Sequence, residues 1–168
     1  MIYFSYGSNM STKRLQARVT SARKVGTGVL HMHELRFHKL SHVDGSAKCD
    51  VSETGVPDHM VHGVLFDIDS SERLILDRIE GIECGYEVKD VEIGIADGSI
   101  ISAFTYYATH IDTGLLPYCW YLEHVMIGAR EHALPEDYIR VIEEVKFITD
   151  PDPERREKEL SIYSQSHE

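Results

Sequence analysis

Residues 86–96 and 99–108 form two strand-like runs joined only by Asp97-Gly98. A two-residue connection permits only an antiparallel hairpin, and Asp-Gly supplies the positive backbone angles that the favoured turn needs. Parallel neighbours would need a crossover of a dozen residues or more. The remaining strand-like segments fall at irregular spacing among a few helical ones. The chain therefore reads as α+β rather than as alternating βα units: a small, curled, mostly antiparallel sheet or β-barrel with peripheral helices.

The first strand is the apolar and aromatic run 2–6, which stops abruptly at Gly7-Ser8-Asn9. Glycine admits backbone angles closed to other residues, and serine and asparagine cap the helix expected from Ser11 to Arg18. A strand, tight turn and helix of this kind form a nest of N–H groups suited to an anion. Residues 24–39 read as one strand bent near Gly26 and Gly28. Residues 41–57 read as loop, interrupted by a short strand over 47–51. The alternation of Val64, Phe66 and Ile68 marks another strand over 61–68. Asp69-Ser70-Ser71-Glu72 has the capping-box pattern, and Gly81 is the natural C-cap of the helix that follows. A phase change near Asp90 predicts a bulge or bend. Helices are expected from Pro117 and after Leu134-Pro135. Residues 150–168 are a polar tail, helical or disordered, beyond a main domain spanning 1–149.

The formal charge of −11, from 28 acids against 17 bases over 168 residues, argues against general binding of nucleic acid or an anionic membrane, because the field repels polyanions. The three cysteines, Cys49, Cys84 and Cys119, have no paired spacing. They fit free thiols in a reducing, cytoplasmic setting. The N-terminus reads straight into a strand pattern, and no apolar run is long enough to span a membrane.

Glu80 is the strongest catalytic candidate. It is placed on the last helical turn before Gly81, where the negative end of the dipole disfavours another negative charge. An acid there is a poor choice for stability and suits proton transfer. The bland alternative is a solvated glutamate at a helix end. His31 and His33 lie on one side of a strand, but no third ligand stands at a recognisable spacing, so packed or surface histidines and no metal are expected. Cys84 is a candidate nucleophile with no readable histidine partner. Tyr86, Tyr106, Tyr107 and Tyr121 are candidates to line a pocket, each with an apolar wall and a hydroxyl.

In combination these features become specific. Tyr6-Gly7-Ser8-Asn9 resembles the signature loop of the γ-glutamylcyclotransferase family. Gly63-Val64-Leu65-Phe66, Leu76 to Gly81 and Tyr86 resemble its second block, where the glutamate before the glycine is the catalytic acid/base. Pro117, Tyr121, Gly128 to Glu131, Leu134-Pro135 and Tyr138 are similar to its third block. Met10 stands where the family often has leucine.

The resemblance implies a barrel-like core and a reaction that cyclises a small γ-glutamyl compound to 5-oxoproline with release of the amine. It implies Glu80 as proton carrier, with Tyr6, Gly7, Ser8, Asn9, Tyr86, Tyr106 and Tyr121 holding the substrate. It calls for no cofactor and leaves a homodimer open. A non-catalytic metabolite-binding module on the same fold, or acyl transfer through Cys84, are the competing readings.

Overall fold

The computed structural model describes residues 1–82 and 84–164. Its centre is a closed five-stranded barrel in the order β1 (Ile2–Ser5), β5 (Met60–Asp67), β2 (Arg23–His31), β6 (Tyr86–Gly94) and β7 (Ile100–Ala108). Neighbours are antiparallel except at the closure, where Tyr3 of β1 pairs in parallel with Phe104 of β7. Closure removes the exposed edges that an open sheet would leave. A separate hairpin pairs β3 (His33–Leu40) with β4 (Ala47–Glu53). Among the described residues, five helices lie around the barrel: α1 (Thr12–Gln16), α2 (Arg73–Glu80), α3 (Cys119–Glu131), α4 (Glu136–Glu143) and α5 (Pro153–Ser164).

The predicted hairpin forms, with register running unbroken from Tyr86↔Ala108 to Gly94↔Ile100. The bulge expected near Asp90 is absent. The phase change has another cause: Tyr86 is buried at the start of β6, whereas Val91 and Ile93 are buried towards its end. The covered face changes along the strand while the pairing does not. The single strand expected over 24–39 is two strands. Met32, with φ of +60°, turns the chain between them, so β2 enters the barrel and β3 leaves it. This turn also separates His31, which is exposed, from His33, which is buried and bonded through Nδ1 to the His31 carbonyl.

Asp69 caps a 3₁₀ turn, Ser70–Glu72, that leads into α2, and Gly81 ends α2 with φ of +74°. The capping box does not close. The Glu72 carboxylate instead accepts from the backbone of Thr20 and Ser21, tying α2 to the end of the segment after α1. Of the apolar residues of α2, only Leu76 is buried.

The tail forms α5, which packs against α1 and α3. Asp150 anchors its start by accepting from Trp120 Nε1 at 2.7 Å and from Arg155 Nε at 2.6 Å. The last tail residues, 165–168, lie outside the described residues.

Helix α3 crosses directly over the turn after β1. A Cβ on Gly128 would stand 2.5 Å from Met10 Cβ and 2.5 Å from the Ser11 nitrogen. Backbone atoms cannot yield there, so Gly128→Ala is expected to destabilise the protein by about 1–3 kcal/mol. This corresponds to a fall in Tm of roughly 3–10 °C, read by calorimetry. An unchanged Tm would mean that α3 can back away freely.

Candidate active site

The site forms at one rim of the barrel, where the end of β1, the end of α2, the start of β6 and the side of α3 converge. The first strand carries buried Phe4 inward and then breaks at Tyr6-Gly7. A 3₁₀ turn, Ser8–Met10, follows, and Ser11 caps α1 by accepting from the Arg14 nitrogen. Gly7 has φ of −118°, so the left-handed angle expected for it is not what calls for glycine. Close approach is the reason. A Cβ there would lie 3.1 Å from Cys49 Cβ and 3.6 Å from the Tyr121 hydroxyl. The N–H groups of Ser8 and Asn9 open a helical turn and so have no acceptor within it.

Glu80 is the last residue of α2, and its side chain is only 17% exposed. Asn9 Nδ2 donates to Glu80 Oε1 at 2.7 Å. Arg18 NH1 donates to Asn9 Oδ1 at 2.8 Å and lies 3.6 Å from Glu80 Oε1. Because a guanidinium only donates, Arg18 orients the Asn9 amide with its NH₂ towards Glu80. The dipole penalty noted from sequence is thus offset by one donor and one nearby cation. Arg18 was not legible as part of the site, since its role depends on a contact across 71 positions between Asn9 and Glu80.

The inner cleft is lined by Tyr3, Tyr6, Gly7, Ser8, Asn9, Cys49, Glu80, Tyr86, Tyr106 and Tyr121. All eight residues predicted for the site are therefore brought together, and Tyr3 and Cys49 join them. Tyr107 is not among them: it alternates outward on β7 and bonds Glu87 at 2.6 Å.

The tyrosine hydroxyls are committed to the frame. Tyr6 donates to the Tyr106 carbonyl at 2.6 Å, Tyr86 donates to the Cys49 carbonyl, and the Tyr121 oxygen accepts from the Cys49 N–H at 3.0 Å. Tyr106 donates to Asp77, which also pairs with Arg73. Burial pushes the hydroxyls of Tyr3, Tyr6, Tyr86, Tyr106 and Tyr121 far above their ordinary range. Burial likewise pushes the Cys49 thiol up to about 12. These groups stay neutral at physiological pH, and Glu80 is the sole carboxylate among the described lining residues.

The cleft opens through Ser8, Glu80, Tyr86 and Tyr121 into an outer chamber of about 300 Å³. Cys84 lies on that chamber, outside the inner cleft, and is exposed. A wider groove of about 880 Å³, bordered by His31, His33, Val29 and Gly94, shares no residue with the cleft. Among the described residues, no group of three or more His, Cys, Asp or Glu is arranged to hold a metal.

The model of the AIG2-like family matches residues 60–142, from β5 through α4. Human gamma-glutamylcyclotransferase is 29% identical over 147 residues, covering 82% of this chain and 74% of that protein. The Bos taurus gamma-glutamylcyclotransferase is 28% identical over 155 residues, covering 86% and 78%. A solved gamma-glutamyl cyclotransferase superposes with a TM-score of 0.87 at 24% identity, covering 98% of this chain and 99% of that one. A human protein of known crystal structure superposes at 0.84 with 26% identity, covering 95% and 97%. The chain is thus similar in sequence to gamma-glutamylcyclotransferases, carries an AIG2-like segment over 60–142, and shares the gamma-glutamylcyclotransferase fold.

Proposed function

We propose that this protein is a γ-glutamylcyclotransferase that converts a small γ-glutamyl amino acid, peptide or amine to 5-oxoproline and a free amine, with Glu80 as the proton carrier. One observation carries the assignment of Glu80: it is the only carboxylate among the described residues that line a cleft of neutral hydroxyls, and it accepts a hydrogen bond from Asn9 of the glycine turn.

The substrate α-ammonium gives a proton to Glu80, and the freed amine attacks its own γ-carbonyl carbon. The attack closes a five-membered ring, so a folded substrate avoids much of the entropic barrier. The N–H groups of the Gly7–Asn9 turn face the oxygen on which negative charge develops. Glu80 then returns the proton to the departing nitrogen as the amide C–N bond breaks. The atoms of the substrate are divided between 5-oxoproline and amine, and no water is consumed. The committed tyrosine hydroxyls act as walls and supports rather than as bases.

Such chemistry is that of a cyclising acyltransferase or lyase, and it suits a role in glutathione or γ-glutamyl metabolism in the cytoplasm. The three free cysteines support a reducing setting. Among the described residues, no helix is long and apolar enough to cross a membrane.

A screen of γ-glutamyl compounds for 5-oxoproline release tests the reading. Release from none of them would end it. The turn makes a separate prediction. Gly7→Val adds a branched side chain where even a Cβ meets Cys49 at 3.1 Å. Substrate affinity is expected to fall about tenfold or more, since the displaced N–H groups are then left without their partner. Unchanged affinity in a calorimetric titration would show that the turn does not touch substrate.

A further inference from the structure

Asp50 lies in the middle of β4 and is only 3% exposed. Aspartate is disfavoured in strands, and a buried carboxyl group is costly unless its oxygens are bonded. Both oxygens of Asp50 have partners. Oδ1 accepts from the Ala108 N–H at 2.7 Å, and Oδ2 lies 2.8 Å from His38 Nε2. His38 is the extra residue of β3 where the register shifts between Phe37 and Lys39, and its side chain reaches back to β4.

The hairpin of β3 and β4 forms a sheet of its own beside the barrel. Main-chain bonds join β3 to the segment after β7, from Leu40 N to the His110 carbonyl and from Asp112 N to the His38 carbonyl. The Asp50 side chain joins β4 to β7 itself, at Ala108, the residue paired with Tyr86 of β6. The neighbouring residue, Cys49, is the hairpin's one contribution to the described walls of the inner cleft. Its N–H donates to the Tyr121 oxygen at 3.0 Å, and its carbonyl accepts from the Tyr86 hydroxyl. Two tyrosine walls therefore take their places from one residue of β4.

We infer that Asp50 is a positioning residue for the reaction: by fixing where β4 lies on the barrel, it sets through the Cys49 main chain where Tyr86 and Tyr121 stand around the substrate. The inference rests on the γ-glutamyl reading above. Asp50 is not among the described residues that line the cleft, so it acts at one remove. Without its carboxylate, the Ala108 N–H and His38 lose their partner, β4 shifts, and the tyrosine walls shift with it. Ring closure needs the amine and the γ-carbonyl carbon held in a narrow geometry, and a misplacement of about 1 Å costs on the order of 10²-fold in rate.

Asp50→Ala is expected to lower kcat for 5-oxoproline release by about 10- to 100-fold, measured on the best substrate of the screen above. KM should change within about threefold, because the groups that grip the substrate in its ground state stand on the turn after β1 and on α2. Asp50→Asn keeps an oxygen for the Ala108 N–H and offers His38 an amide donor, so its kcat should stay within about threefold of wild type.

A double-mutant cycle tests the route. Tyr86→Phe/Tyr121→Phe removes both hydroxyls that bond Cys49 and is expected to lose kcat by itself. Adding Asp50→Ala should then cost less than about threefold more, since the link from Asp50 to the cleft is already cut. Losses that multiply would overturn the inference and leave Asp50 a stabiliser of the hairpin alone. So would an Asp50→Ala protein with unchanged kcat, or a loss confined to KM. Should calorimetry show that Asp50→Ala does not fold, Asp50→Glu carries the same cycle. It keeps the carboxylate but moves it by one methylene, and kcat is expected to fall about tenfold. All of these outcomes leave the γ-glutamyl reading intact. A wild-type protein that releases 5-oxoproline from no γ-glutamyl compound would remove that reading, and this inference with it.

Discussion

Glu80→Gln is expected to cut the rate of 5-oxoproline release by about 10²- to 10⁴-fold, the usual contribution of a positioned general acid/base. Glutamine keeps the volume, and its carbonyl oxygen can still accept from Asn9 Nδ2, so the 2.7 Å contact and the fold should persist. What it loses is the capacity to take a proton from the α-ammonium and return it to the leaving nitrogen. The loss should therefore appear in kcat, with KM within about threefold, because substrate contacts made equally in ground and transition states are untouched. Steady-state kinetics beside a calorimetric Tm would separate this from misfolding. Turnover within tenfold of wild type, in a folded protein, would end the assignment of Glu80 as proton carrier. Blocking the exposed Cys84 thiol should have little effect, since it stands outside the inner cleft.

Acid should weaken the fold through the seat of the C-terminal helix. His124 on α3 is fully buried, with Arg14 NH1 2.8 Å from its Nε2 and the Tyr163 hydroxyl 2.7 Å from its Nδ1. Arginine only donates, so Nε2 must accept and the imidazole is neutral. Burial lowers its pKa to about 4, with Glu159 opposing the shift and Arg14 adding to it.

A histidine with a depressed folded pKa binds its proton in the unfolded state first. Its contribution is complete above the unfolded value of 6.5 and is lost as pH falls towards 4, a loss of roughly 3 kcal/mol. Burial acts in the same direction on His62 and His132, so they add to the same window. With His124 neutral, the hydrogen bond from Arg14 NH1 at 2.7 Å is what holds the Glu159 carboxyl below its ordinary range. Its contribution is complete above its ordinary value of 4.5 and is lost only below that.

Guanidinium unfolding at pH 7, 5.5 and 4 should show this slope, and His124→Asn should flatten it by about 3 kcal/mol. Equal slopes in the two proteins would show that His124 is not the group that acid strikes. Since Glu159 also lines the outer chamber, the same loss would loosen one wall of that chamber.

Local chemistry was legible wherever neighbours in sequence decide it. Asp97-Gly98 made its hairpin, Gly81 ended α2 in a left-handed cap, and the break after Tyr6 produced the turn. The residues expected at the site were singled out because they carry a family's blocks in order, and the fold brings Tyr6 to Asn9, Glu80, Tyr86, Tyr106 and Tyr121 into one cleft. The errors have a common source. Met32 turns the chain without any glycine or proline to signal it, so β2 and β3 read as one strand. Glu72 had the spacing of a capping box but found Thr20 and Ser21 instead, because acceptors distant in sequence compete with local ones.

By itself, then, the sequence determined that this protein has an antiparallel-rich α+β core, a glycine turn after its first strand and an acid at the end of α2. Periodicity, turn chemistry and the helix dipole act over a few residues. Only the tertiary structure decided that Asn9 and Arg18 hold Glu80, that Tyr3 and Cys49 complete the inner cleft, and that the polar tail seats as α5. Each of these depends on which distant groups share a buried space, and burial there is what makes an unpaired charge or a committed hydroxyl matter.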